Sequence, residues 1–216
     1  MKHFSLILLL FCASFFVNAQ ENRPFYNEIS NFKKQDSLKF PPKNAVLFIG
    51  SSTFTNWKDA QKYFPNHLIL NRGFGGSSLP HVIEYANDII FPYQPKQIVI
   101  YCGENDFTGN ASAQVVVNRV RQLIDLIRAK YPKVHLAYIS IKPSPSREKY
   151  LSQMVTANKM IAEMIGTMKR AKFINTYDAM FSPDGKIMND IFLKDNLHMN
   201  AKGYAIWAKI MEPYLK

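Results

Sequence analysis

Cysteine is almost absent, with two among 216 residues, Cys12 and Cys102. If the first belongs to a removable leader, the folded part has one thiol, so no internal disulfide can staple it and its core must hold it together. Histidine is sparse as well, five in all, and none falls in a His/Cys cluster at metal-ligand spacing. No fixed-period repeat or low-complexity tract is present, which excludes solenoids, propellers and disordered arrays. Acid is under-represented, with 16 Asp and Glu against 27 Lys and Arg and a formal charge of +11. A basic surface suits acidic partners such as anionic polysaccharide or phospholipid headgroups. Nucleic acid is not an expected partner, because the lysines are scattered and no basic tract is interleaved with aromatics. Apolar material is plentiful at 47%, with 13% aromatics. That is enough for one full core, and the length suits a single domain.

The stretch Met1 to Ala19, MKHFSLILLLFCASFFVNA, has a basic start, an apolar centre from Phe4 to Val17 and small or apolar residues at Val17 and Ala19. It reads as a cleaved signal peptide, which predicts an exported, periplasmic or secreted protein. The apolar run is too short and weakly flanked for a membrane span, so no stable membrane insertion is expected once it is removed. Leu10 and Phe11 before Cys12 are not the small residues that lipid attachment would need. Residues 20–42 form an N-terminal segment in which Phe25, Ile29 and Phe32 fall at i, i+4 and i+7, a short amphipathic helix expected to pack on the domain. Pro41-Pro42 ends it, and residues 43–216 make the main domain.

Within that domain, strand-like runs recur at Val46–Ile49, Leu68–Leu70, Gln97–Tyr101, Val134–Ser140 and Phe173–Ile174. Helical stretches fall at Trp57–Tyr63, Leu79–Asn87, Gln114–Lys130, Arg147–Met168 and Ala201–Leu215. The alternation predicts an α/β domain whose mostly parallel five-stranded sheet carries helices on both faces. Ligands of such sheets bind beyond the carboxyl ends of the strands, so the loops there are the place to look for chemistry.

Four loops stand out. The first strand runs into Gly50-Ser51-Ser52, where a serine either caps the next helix or presents a nucleophile. After the second strand, Asn71-Arg72-Gly73-Phe74-Gly75-Gly76-Ser77-Ser78 lets the backbone turn tightly or approach a ligand closely. Its glycines do not fit the spacing of a dinucleotide-binding loop. After the third comes Cys102-Gly103-Glu104-Asn105-Asp106, in which the Asn105 amide offers a neutral donor for developing negative charge. Before the last helix, Asp195 and His198 stand three apart, so a turn can bring the carboxylate to one imidazole nitrogen and leave the other free. Each loop has a bland explanation as turn or cap. Together they supply a nucleophile, an oriented base and oxyanion donors, the parts needed for acyl transfer.

These blocks, in this order, resemble the SGNH hydrolases, a branch of the GDSL esterase/lipase group that also includes platelet-activating-factor acetylhydrolase-like and lysophospholipase-like members. The resemblance runs from Gly50 to His198. It implies a three-layer α/β/α, flavodoxin-like fold. By position it implies Ser52 as nucleophile, Asp195 and His198 as the acid/base pair, and an oxyanion hole from the Ser52 and Gly76 N–H groups with Asn105. Two positions depart from the pattern: Ser51 and Ser77 stand where the family usually has Asp. The first departure raises the alternative that Ser51 is the nucleophile.

The expected reaction is hydrolysis of a carboxylic ester through an acyl-enzyme, with no metal or organic cofactor. Export and basic charge suit short-chain O-acetyl esters of carbohydrates. Lysophospholipids or short lipid esters are the second choice, and a non-catalytic glycan-binding module on the same fold is an alternative of another class. Phe54, Trp57, Phe74 and Phe107 lie close to the blocks and are candidates to line a substrate pocket, with core packing as the competing explanation.

Overall fold

The computed structural model describes residues 23–216, and the predicted leader lies outside the described residues. The chain divides into two compact units at Phe40 and Pro41. The described part of the first holds one helix, α1 (Tyr26–Leu38), whose buried residue is Ile29.

The second unit is built on five strands, β1 (Val46–Gly50), β2 (Ile69–Gly73), β3 (Gln97–Tyr101), β4 (His135–Ile139) and β5 (Ala171–Ile174). All four pairings are parallel and the order is β2-β1-β3-β4-β5, the flavodoxin-like arrangement the resemblance implies. Every residue of β1 and β3 is buried. That is why both read as near-continuous apolar runs rather than alternating ones, Gln97 at the start of β3 aside: a parallel sheet is covered on both faces.

The helices of this unit are α2 (Ser52–Asn56), α3 (Ala60–Tyr63), α4 (Leu79–Glu84), α5 (Ala86–Ile89), α6 (Glu104–Thr108), α7 (Ala113–Lys130), α8 (Leu151–Gly166) and α9 (Ala201–Met211). In α7, Val116, Val120, Leu123, Ile124 and Ile127 recur at helical spacing and form a buried stripe along its length. Other boundaries move for identifiable reasons. The helix expected over Trp57–Tyr63 is confined to α3, Ala60–Tyr63, and is preceded by the separate short α2, with Asn71 Nδ2 donating to the carbonyls of Phe54 at 2.6 Å and Trp57 at 3.5 Å at the end of α2. The helix expected from Arg147 begins as a 3-10 turn, Pro145–Tyr150. The last helix ends at Met211 and tightens into a 3-10 turn over Glu212–Tyr214, where Pro213 has no N–H to continue it.

One part of the core joins the sheet to α2 and α9. Phe48 stacks on Phe54 at 4.7 Å between ring centroids, Trp57 on Tyr204 at 4.7 Å, and Tyr101 meets Trp207 edge-on at 4.9 Å. This aromatic layer holds the helix carrying Ser52 against the sheet.

Candidate active site

The register of the sheet sets the site. Gly50 pairs with Gly73 on one side and Tyr101 on the other, so β1, β2 and β3 all end on one rung and release their loops at one level. Gly50 has to be glycine: its φ is 135°, and a Cβ there would lie 1.8 Å from the Tyr101 carbonyl oxygen. This close approach lets the Ser51 N–H donate to the Tyr101 carbonyl at 3.0 Å, and the Phe74 N–H to the Gly50 carbonyl at 2.9 Å.

The two serines then separate. Ser51 occupies the N-cap position of α2, yet its side chain makes no capping bond. It is 4% exposed, and its hydroxyl accepts from Asn105 Nδ2 at 2.9 Å. Ser52 is the first residue of α2 and half-buried, with its Oγ 2.9 Å from His198 Nε2. As the first helical residue its own N–H has no intrahelical acceptor. On the far side of the ring, His198 Nδ1 lies 2.6 Å from Asp195 Oδ2. The other oxygen, Asp195 Oδ1, accepts the backbone N–H groups of Leu197 and His198, each at 3.0 Å. Burial pushes the Asp195 carboxyl up, but the hydrogen bonds from the His198 ring and from these two N–H groups outweigh it and hold the carboxyl at about 2.

The remaining donors gather around Ser51. The second Asn105 Nδ2 proton goes to the Ser77 carbonyl at 3.0 Å, which ties the third loop to the glycine loop. Gly76, next to Ser77, is exposed and turns with φ 77°. Ser77 is fully buried, with its hydroxyl 2.9 Å from the Phe74 carbonyl and 3.2 Å from that of Gly50. At the positions of the two missing carboxylates, neutral hydroxyls therefore make the loop-bracing contacts.

Ser52, His198, Asp195, Asn105 and the glycine loop are thus brought to one end of the sheet. The four aromatics are not pocket walls. Phe54, Phe74 and Phe107 are 0% exposed and Trp57 is 1% exposed, because each faces inward into aromatic neighbours. The pocket-lining expectation is corrected to core packing. Cys102 is fully buried and burial pushes its thiol well up, leaving it a packed, protonated side chain beside the Ser77 carbonyl.

Sequence reasoning missed a buried charged network under the site. Lys142 Nζ lies 3.1 Å from each oxygen of Glu104 and donates to the Leu197 carbonyl at 2.8 Å, while the Tyr101 hydroxyl donates to Glu104 Oε2 at 2.7 Å. The available signal was a lysine three residues after the end of an apolar strand run. Among the described residues no group of three or more His, Cys, Asp or Glu is placed to hold a metal ion, and no helix is long and apolar enough to cross a membrane.

The arrangement is a hydroxyl, an imidazole and a carboxylate in series, with amide and backbone N–H donors alongside, which is chemically competent for acyl transfer. Comparison with known proteins agrees. In fold, the chain is similar to a Streptococcus pneumonia protein named for platelet activating factor, with a TM-score of 0.77 at 19% identity over 98% of this chain and 99% of the other. It is similar to a GDSL-like lipase from Bacteroides thetaiotaomicron, with a TM-score of 0.71 at 19% identity over 86% and 96%. It is more distantly similar to a carbohydrate esterase family 3 protein from Talaromyces cellulolyticus, with a TM-score of 0.61 at 15% identity over 80% and 96%. No curated protein matches the chain. The sequence profile of the GDSL-like lipase/acylhydrolase family matches residues 47–206, a span containing all four loops, and the chain belongs to that family of ester-hydrolysing enzymes.

Proposed function

We propose that the protein is an exported serine esterase that removes short acyl groups, acetyl above all, from the hydroxyls of carbohydrates. The observation that carries the reading is the unbroken chain from Ser52 Oγ through His198, 2.9 Å on one side of the ring and 2.6 Å on the other, to Asp195.

In the first half-reaction His198 Nε2 takes the Ser52 proton as Oγ attacks the ester carbonyl, and Asp195 steadies the imidazolium that forms. The tetrahedral oxyanion is received by the Ser52 and Gly76 N–H groups and by the Asn105 amide, whose proton toward Ser51 is shared with the new anion. Collapse expels the alcohol, protonated by His198. Water deprotonated by His198 then attacks the acyl-enzyme, releasing the acid and restoring Ser52. No step calls for a metal or organic cofactor.

Three features support the acetyl-carbohydrate preference. The aromatic side chains nearest the loops are used up in the core, so they supply no apolar wall for a long acyl chain. The charge of +11 favours acidic polysaccharides. The fold is also that of a carbohydrate esterase family 3 protein. The test is to incubate the protein with a fluorophosphonate ester probe, map the adduct by peptide mass spectrometry, and compare p-nitrophenyl acetate, p-nitrophenyl decanoate, a lysophospholipid and acetylated xylan as substrates. Adduct on Ser52 with preference for the acetyl esters is the expected result. Faster turnover of the decanoate or lysophospholipid moves the substrate to lipid esters, and a folded protein that forms no adduct is a binding module.

A further inference from the structure

Lys142 is out of place by ordinary chemistry. Its side chain is 1% exposed, in a part of the fold where a lysine is tolerated only if its charge is paired. Burial drives the ammonium toward its neutral form and the carboxylate of Glu104 opposes that. A buried ion pair of this kind adds little stability over a well-packed apolar filling, so the question is what its protons hold. An ammonium has three. The acceptors within reach are Glu104 Oε1 at 3.1 Å, Glu104 Oε2 at 3.1 Å and the Leu197 carbonyl at 2.8 Å, and the Phe192 ring lies 5.6 Å from the nitrogen.

Those acceptors belong to the two loops that have to be aligned. Glu104 opens α6 directly before Asn105, and its carboxylate is also gripped by the Tyr101 hydroxyl at 2.7 Å. Leu197 directly precedes His198. Three successive carbonyls of the base loop are pinned: Asn196 by the Ser146 N–H at 3.0 Å, Leu197 by Lys142, and His198 by the Leu193 N–H at 2.8 Å. The middle one alone is held by a side chain, and that side chain reaches across to the other loop.

We infer that Lys142 is a positioning residue: through Glu104 and the Leu197 carbonyl it sets the His198 ring in register with the Asn105 amide. The inference rests on the reading of His198 as base and Asn105 as oxyanion donor.

The test uses Lys142→Met and the uncharged double variant Glu104→Gln/Lys142→Met, which avoids stranding a buried carboxylate. Three quantities are read on the whole protein: melting temperature, kcat and KM on p-nitrophenyl acetate, and hydrogen–deuterium exchange of residues 193–200. In Lys142→Met we expect kcat to fall roughly tenfold or more with KM within about twofold, the pattern of misaligned catalytic groups. Exchange of residues 193–200 rises about tenfold or more while that of β3 is unchanged. In the double variant the melting temperature recovers but kcat stays low and exchange stays fast, because the Leu197 carbonyl still has no donor. Recovery of kcat together with stability would show the pair to be charge balance only and overturn the inference, as would wild-type exchange at 193–200 in either variant. If the unaltered protein hydrolyses no ester, the functional reading fails, and the exchange data still decide whether Lys142 holds the loop.

Discussion

Asn105 Nδ2 donates to Ser51 Oγ at 2.9 Å, which engages the first of two adjacent hydroxyls with the third loop. The second, Ser52, is the one facing His198. Ser52→Ala should abolish both fluorophosphonate labelling and hydrolysis. Ser51→Ala removes one neutral hydrogen bond, worth about 0.5–1.5 kcal/mol, and leaves Asn105 tethered to the Ser77 carbonyl. It should keep the adduct on Ser52 and lose roughly tenfold or less in kcat. Labelling that disappears in Ser51→Ala and persists in Ser52→Ala would shift the nucleophile by one residue.

In the proposed mechanism the side-chain amide of Asn105 is a donor whose value lies in the transition state. Asn105→Ala should lower kcat roughly 100- to 1,000-fold, about 2.7–4 kcal/mol, with little change in KM. Circular dichroism should remain native, since the buried contacts of α6 are made by Glu104, Asp106 and Phe107. An unchanged kcat would remove Asn105 from the oxyanion hole.

Asp195 predicts a pH signature. Its folded value, about 2, lies below the ordinary 3.8, so its contribution to stability is complete above 3.8 and is lost as the pH falls through about 2. Because its side chain is 46% exposed, that contribution is small. Asp195→Asn should melt slightly below wild type at neutral pH, with the gap closing between pH 4 and 2. Its kcat should drop by about 10⁴, the cost of losing the carboxylate that orients the ring. A melting gap that widens in acid would contradict the assignment of the charge.

Phe54 separates packing from recognition. It is fully buried against Phe48 and Tyr101, so Phe54→Ala should cost about 3–5 kcal/mol of stability in chemical denaturation. A residue that lined the substrate pocket would instead raise KM and leave stability near wild type.

The strands and the four chemistry-bearing loops were legible because each follows from local rules. Val46 to Ile49 and Ile98 to Tyr101 are apolar runs that lead into glycine turns at Gly50 and Gly103, and Asp195 and His198 sit at a spacing a single turn satisfies. What could not be read depends on contacts distant in sequence. The Phe54 carbonyl near the end of α2 accepts from Asn71, 17 residues after Phe54, and nothing in the sequence around Trp57 announces that contact. The inward turn of Phe74 and Phe107 depends on Tyr85 and Tyr150, which only the fold brings near. Lys142 and Glu104 are 38 apart, and as separate residues each reads as ordinary surface charge.

The common rung of Gly50, Gly73 and Tyr101 has a consequence for how such a chain tolerates change. Backbone pairing is indifferent to which apolar side chains fill the layers above and below, so the core and helices can be rewritten extensively while the loops keep their mutual heights. Counting along the strand is far less forgiving. One residue inserted into β1 would slide the serine loop by about 3.3 Å and turn alternate side chains to the opposite face. The site is therefore guarded by strand length more than by composition, and a relative with few identities can superpose on it closely while a single insertion in β1 would dismantle it.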